Sequence, residues 1–150
     1  MNRQPIVVFP DSYPAALNVV GERITVLASR HDTGAHEVFL QQGPEGSGPP
    51  PHSHPWDEVF YVTQGEIAFG LGADQLVAVP GTMVQIPAGT PHWFRFGAGG
   101  GQMVSFTGKG NASAMFAHFD REIAPDAPDL GKLVAIAQAH GAKLEVPMPA

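Results

Sequence analysis

The chain has 150 residues, 43% of them hydrophobic and 15% charged, with Gly 18, Pro 15, Cys 0 and a net charge of -6. So much apolar residue with so little charge excludes a disordered chain, and 8 Lys and Arg against 14 Asp and Glu exclude a basic phosphate-binding surface, so no nucleic-acid partner is expected. Lack of cysteine excludes disulfides, thiolate metal sites and a cysteine nucleophile. One domain over residues 1–150 is the expectation from length. No stretch reads as a signal sequence or membrane span, so no membrane partner and a cytoplasmic location are expected.

Short apolar runs between turn residues predict strands at 6–9, 24–28, 37–40, 59–62, 67–69, 76–79, 83–86, 92–96 and 103–106. The connections, among them Asp32-Thr33-Gly34, Thr63-Gln64-Gly65 and Pro87-Ala88-Gly89, are too short for crossover helices, so the strands should pair antiparallel in a sandwich or barrel. Residues 41–51 read as a Gly/Pro-rich loop. A helical segment over about 112–141 follows. Its first helix spans about 112–122. Its second is capped by Asp129, carries Leu130, Leu133, Val134 and Ala137 on one face and ends at His140-Gly141.

The loop leads into His52-Ser53-His54-Pro55-Trp56-Asp57-Glu58. On an extended chain His52 and His54 leave the same face, and the even spacing allows Glu58 to join them. His92, at the start of a strand whose inward set is His92, Phe94 and Phe96, is a fourth candidate that antiparallel pairing can bring opposite. Neutral imidazoles with a carboxylate suit one divalent transition metal (Fe, Mn, Ni, Co or Zn), and four such ligands on an octahedral ion leave two positions open. The blander reading of any single histidine as a satisfied core residue is weakened by four spaced candidates.

These residues resemble a known family. Gly46-x5-His52-x-His54-x3-Glu58-x6-Gly65 fits the first motif of the cupins, and Gly81-x5-Pro87-x-Gly89-x2-His92 fits most of the second, so the resemblance is carried by residues 46–96. The 15 residues from Glu66 to Pro80 between the motifs are similar in length to the spacing of small single-domain bacterial cupins. The resemblance implies an all-β fold, a double-stranded β-helix (jelly-roll) barrel with one or two short C-terminal helices. It also implies His52, His54, Glu58 and His92 as metal ligands at its centre, and a homodimer. An independent argument for the dimer is the strand expected at 6–9, which would leave an edge in need of cover. Phe96 stands where the second motif usually closes with Asn, and should make the cavity more apolar.

The segment after the second motif resembles the quercetin-dioxygenase-like members. That likeness implies a dioxygenase acting on a small apolar or aromatic enol-type substrate, with Glu58 as a ligand or a general base. Phe39, Phe60, Phe94 and Phe96 are candidates for the substrate wall, although aromatic residues on strands also serve as plain core. Two other readings keep the same residues: a non-redox isomerase, cyclase or lyase, and a non-catalytic module that binds a small molecule. His31 and His36 flank a turn and could face each other across a hairpin. His118 and His140 fall in the helical segment, where the helix dipole accounts for the latter. Arg95 is expected to point outward.

Overall fold

The computed structural model describes residues 3–145. In chain order its strands are β1 (Leu17–Val19), β2 (Glu22–Ala28), β3 (Glu37–Gly43), β4 (His52–Ser53), β5 (Glu58–Gln64), β6 (Ile67–Leu71), β7 (Asp74–Ala78), β8 (Met83–Ile86), β9 (His92–Phe96), β10 (Gly101–Thr107) and β11 (Lys143–Leu144). Each long run of alternating side chains is a strand, with one face of the alternation turned inward: Glu58, Phe60 and Val62 on β5, and His92, Phe94 and Phe96 on β9. Every pairing is antiparallel. The strands form a six-stranded sheet, β1-β2-β3-β10-β5-β8, and a five-stranded sheet, β11-β4-β9-β6-β7. Inward faces of the two sheets meet, as in a β-sandwich.

Two of the expected elements take another form. Residues 6–9 form no strand: the segment is an arm without sheet partners, and Ile6, Val7 and Phe9 are 46%, 73% and 64% exposed. The turn at Asp32 is a one-turn helix, α1 (Arg30–Thr33), because Ser29 and Asp32 form a reciprocal capping box and Gly34 closes the turn at φ 77. His31 and His36 therefore sit exposed around a helix instead of facing each other across a hairpin.

The C-terminal helices, α2 (Ala112–Glu122) and α3 (Leu130–Ala139), fall where the sequence places them, and Asp129 caps α3 by accepting from Lys132 N at 3.0 Å. The buried face of α3 is Leu133, Ile136 and Ala137; Leu130, expected on that face, is 54% exposed. No helix among the described residues is long and apolar enough to cross a membrane. Two apolar clusters result. One fills the sandwich with Phe60, Phe69, Phe94, Phe96 and Met103. The other joins Ile24, Phe39 and Trp56 to Met115, Phe119 and Leu133 of the helices.

Gly65, at the turn after β5, has φ +73, and a Cβ there would overlap the carbonyl oxygen of Gly100, so glycine is required both by dihedral and by space.

Candidate metal centre

Four side chains meet between the sheets. His52 on β4 and His92 on β9 are register partners in the five-stranded sheet, while Glu58 opens β5 in the other. His54 lies in the connection between β4 and β5. Two bonds hold that connection against the turn before β9: Gly89 N donates to His54 O at 2.9 Å and Ala88 N donates to Asp57 Oδ1 at 2.8 Å. The Pro87-Ala88-Gly89 turn thus aligns the first histidine pair with His92.

Each imidazole is oriented through its Nδ1, which lies 2.9 Å from Pro50 O in His52, 2.9 Å from Trp56 O in His54 and 2.8 Å from Thr90 O in His92. A carbonyl oxygen only accepts, so each Nδ1 carries the proton and donates, and each Nε2 presents a lone pair. Ligating nitrogens of the three rings lie within 4.8 Å of one another. Glu58 Oε1 is 3.4 Å from both His54 Nε2 and His92 Nε2. Neither of those nitrogens has a hydrogen-bond partner among the described residues, although both are buried. Burial alone would push the Glu58 carboxyl up; hydrogen-bond donation and positive charge on the His54 and His92 side bring it down to about 2, a role that neutral rings leave to a bound cation. Burial, with His92 nearby, lowers His52 to about 4. With each Nδ1 turned to a carbonyl, the three Nε2 atoms and the Glu58 carboxyl face one another as a set of lone pairs. Such a set can hold a divalent cation.

Beside it lies a cavity of about 100 Å³. Phe60 and Phe94 line it. Phe39 and Phe96 do not. Phe39 packs edge-on against Phe116 at 5.1 Å, and Phe96 sits deep in the sandwich, where the lack of Cβ atoms at Gly43 and Gly101 makes room for its ring. The expectation that Phe96 makes the cavity more apolar is therefore corrected: its bulk fills the core. Trp56 stacks on the His54 ring at 4.6 Å and also lines the cavity, and Met115, Phe119 and Leu133 cover it from the helices.

Among the cavity residues that the sequence reading misses are two polar ones, Glu22 and Gln41. Both are polar residues at inward parity, Glu22 two before Ile24 and Gln41 two after Phe39, but both fall just outside the apolar runs that announce β2 and β3. Arg95 is exposed on β9, its guanidinium 6.0 Å from the Trp93 ring centroid. His118 and His140 form a tie between α2 and α3: His118 Nδ1 lies 3.0 Å from His140 Nε2, while Glu122 pairs with the other nitrogen of His118. His140 is thus engaged by a side chain as well as by the helix end. Because Glu122 and His140 use opposite nitrogens of His118, the three do not converge on one point.

A family model described as the cupin domain matches residues 39–104. Quercetin 2,3-dioxygenase of Bacillus subtilis (strain 168) is 33% identical over 94 residues, which is 61% of this chain and 28% of that enzyme. The chain thus spans under a third of the length of that curated relative. Among solved structures, KdgF from Halomonas sp. superposes with a TM-score of 0.64 at 18% identity, covering 71% of this chain and 97% of that one. An RmlC-like cupin from Shewanella frigidimarina NCIMB 400 gives 0.63 at 17% identity, covering 73% and 95%. At those identities the two structures establish the fold, an all-β cupin sandwich with short helices.

Proposed function

We propose that this chain, which matches the cupin domain over residues 39–104, is a cupin and a metal-dependent, dioxygenase-like enzyme acting on a small apolar or aromatic substrate of enol type. The observation that carries the reading is the convergence of imidazole lone pairs on the Glu58 carboxylate, with buried His54 Nε2 and His92 Nε2 left without a hydrogen-bond donor. Acceptors packed this closely repel one another unless a cation lies among them. His52, His54, His92 and Glu58 would hold it, and the donor set suits Fe, Mn, Ni, Co or Zn. Such an ion, when bound, supplies open coordination positions and, if redox-active, electron transfer to oxygen.

The chain's own residues account for the rest. Backbone carbonyls fix the three rings before any ligand arrives, which lowers the ordering cost of binding. Phe60, Phe94 and Trp56 form an apolar wall beside the cluster and keep water from it. Glu58, the carboxylate of the cluster, is placed by geometry to accept the proton of a substrate hydroxyl. The likeness to quercetin 2,3-dioxygenase supports oxygen chemistry on such a substrate.

Metal content by plasma mass spectrometry, on protein purified without a histidine tag, tests the centre. About one transition metal per chain is expected, lost in a His52→Ala, His92→Ala double variant. Oxygen uptake is then screened with enols and catechols. No metal in the wild type, and no uptake of Fe, Mn, Ni, Co or Zn, would sink the centre. Turnover indifferent to oxygen would replace the oxygenase with a non-redox isomerase, cyclase or lyase, and tight binding without turnover would replace it with a binding module.

A further inference from the structure

The cavity holds a second carboxyl that the metal centre does not use. Glu22, on β2, is 4% exposed and faces the same cavity as His52, His54 and Glu58. One side-chain hydrogen bond reaches it among the described residues, from Gln41 Nε2 to Oε1 at 2.6 Å, and Gln41 is itself 3% exposed. No ion pair among the described residues includes Glu22. Burial raises its pKa to about 8 against the opposing bond from Gln41, and the neighbouring Glu58 adds to the rise. A carboxyl in this position is costly, since an apolar side chain would fill the same space without desolvation. Groups kept under such conditions, facing a cavity, mark function more often than structure.

We propose that Glu22, braced by Gln41, is a second hydrogen-bonding site for the substrate. The inference rests on the metal-dependent reading and deepens it by naming the ligand class: a molecule of about one ring with two oxygen functions. One oxygen is directed to the histidine cluster. The other, a hydroxyl or carbonyl, is held by Glu22. The cavity's roughly 100 Å³ is of the size that takes a single aromatic ring. Its walls are mostly apolar, from Ile24, Phe60 and Phe94 to Met115 and Phe119, so they hold the ring while the polar groups set its orientation. Gln41 engages one carboxyl oxygen, and the other has no hydrogen-bond partner among the described residues. A protonated carboxyl both donates and accepts, and so serves either oxygen function.

The experiment compares zinc-loaded wild type, Glu22→Leu and Glu22→Gln by calorimetric titration with resorcinol, which has two hydroxyls, and phenol, which has one. Wild type is expected to bind resorcinol about tenfold more tightly than phenol. In Glu22→Leu that ratio falls to about one with phenol binding retained, which also shows the variant to be folded, whereas Glu22→Gln, still a donor and acceptor, keeps most of it. A wild type that binds neither probe or binds both equally, or a ratio that survives in Glu22→Leu, overturns the proposal. Zinc content is measured on all three proteins. Zinc lost from the Glu22 variants alone would move Glu22 into the metal centre and overturn the proposal. Zinc absent from the wild type is the separate failure of the centre itself, and this inference falls with it.

Discussion

At Glu22, burial and ionisation pull in opposite directions. The unfolded chain ionises this carboxyl near 4.5, whereas the folded chain keeps its proton until about pH 8. As pH rises through that window the unfolded state binds fewer protons than the folded one, so stability is lost with rising pH and the loss is complete above the folded pKa. Glu22→Gln removes the effect. Thermal melts of the variant and wild type should therefore coincide near pH 4 and diverge towards pH 8, where the variant is the more stable by on the order of a few kcal/mol. A variant less stable at every pH would show that Glu22 supports the fold. Glu58 asks for the opposite kind of test, because it is placed to act on the substrate. Glu58→Gln should keep metal on the three histidines, with affinity reduced about tenfold, and lower oxygen uptake by about a hundredfold or more. Uptake at the wild-type rate would remove Glu58 from the reaction. The histidines and Glu58 are legible in the sequence because they fall in motifs that resemble the cupins; even spacing on an extended chain does not explain their meeting, since the chain bends after His54 and Glu58 opens a strand of the other sheet. Glu22 is not, because nothing near it in sequence says that it faces those residues.

Glu37, on β3, holds two helices in place. Its carboxylate accepts from Arg30 N at 2.8 Å at the start of α1, and from Ser113 N at 3.0 Å at the start of α2, where it also accepts from the Ser113 hydroxyl. These donors are orphaned ends of helices, and a negative charge complements them. Since Glu37 is fully buried, Glu37→Ala should cost about 2–4 kcal/mol in denaturant unfolding. It should also loosen α2, which carries Met115 and Phe119 over the cavity; a cost under about 0.5 kcal/mol would make the anchor dispensable. At this scale most elements are legible in the sequence. Helix α2 occupies the residues that its pattern predicts, and α3 begins at the cap that Asp129 supplies. The face of α3 is less so: Leu130 sits in its first turn, exposed, and Ile136 takes the inward place. β4 and β11 are two-residue strands. They are too short to show an alternation and exist because a partner strand lies alongside, Leu144 against His52 and His52 against His92.

For the whole molecule, the candidate centre spans the sandwich, with His52 and His92 on one sheet and Glu58 on the other. A bound ion therefore ties the two sheets together. Saturating metal at about 100 times its dissociation constant should add about 2.7 kcal/mol to stability. A chelator should then lower Tm by several degrees in the wild type and leave the His52→Ala, His92→Ala variant unmoved, as followed by calorimetry; equal shifts in both would place the stabilising ion elsewhere. The homodimer is a proposal that rests on the family likeness and on the apolar arm, in which Ile6, Val7 and Phe9 are exposed. Light scattering at micromolar concentration is expected to give twice the chain mass, and the chain mass alone would overturn it.

Turn residues at short intervals and period-two alternation determined the antiparallel β class without reference to contacts. The two motifs marked His52, His54, Glu58 and His92 as the candidate centre through their likeness to the cupins, not through a shared strand face. Only the tertiary structure decided which phenylalanines meet the cavity, placing Phe60 and Phe94 on it and Phe39 and Phe96 in the packed core. It alone brought Glu22 and Gln41 to the cavity and left residues 6–9 outside the sheets. The reason is that alternation tells a strand which side chains are inward, whereas what lies across from them depends on how two sheets and two helices pack.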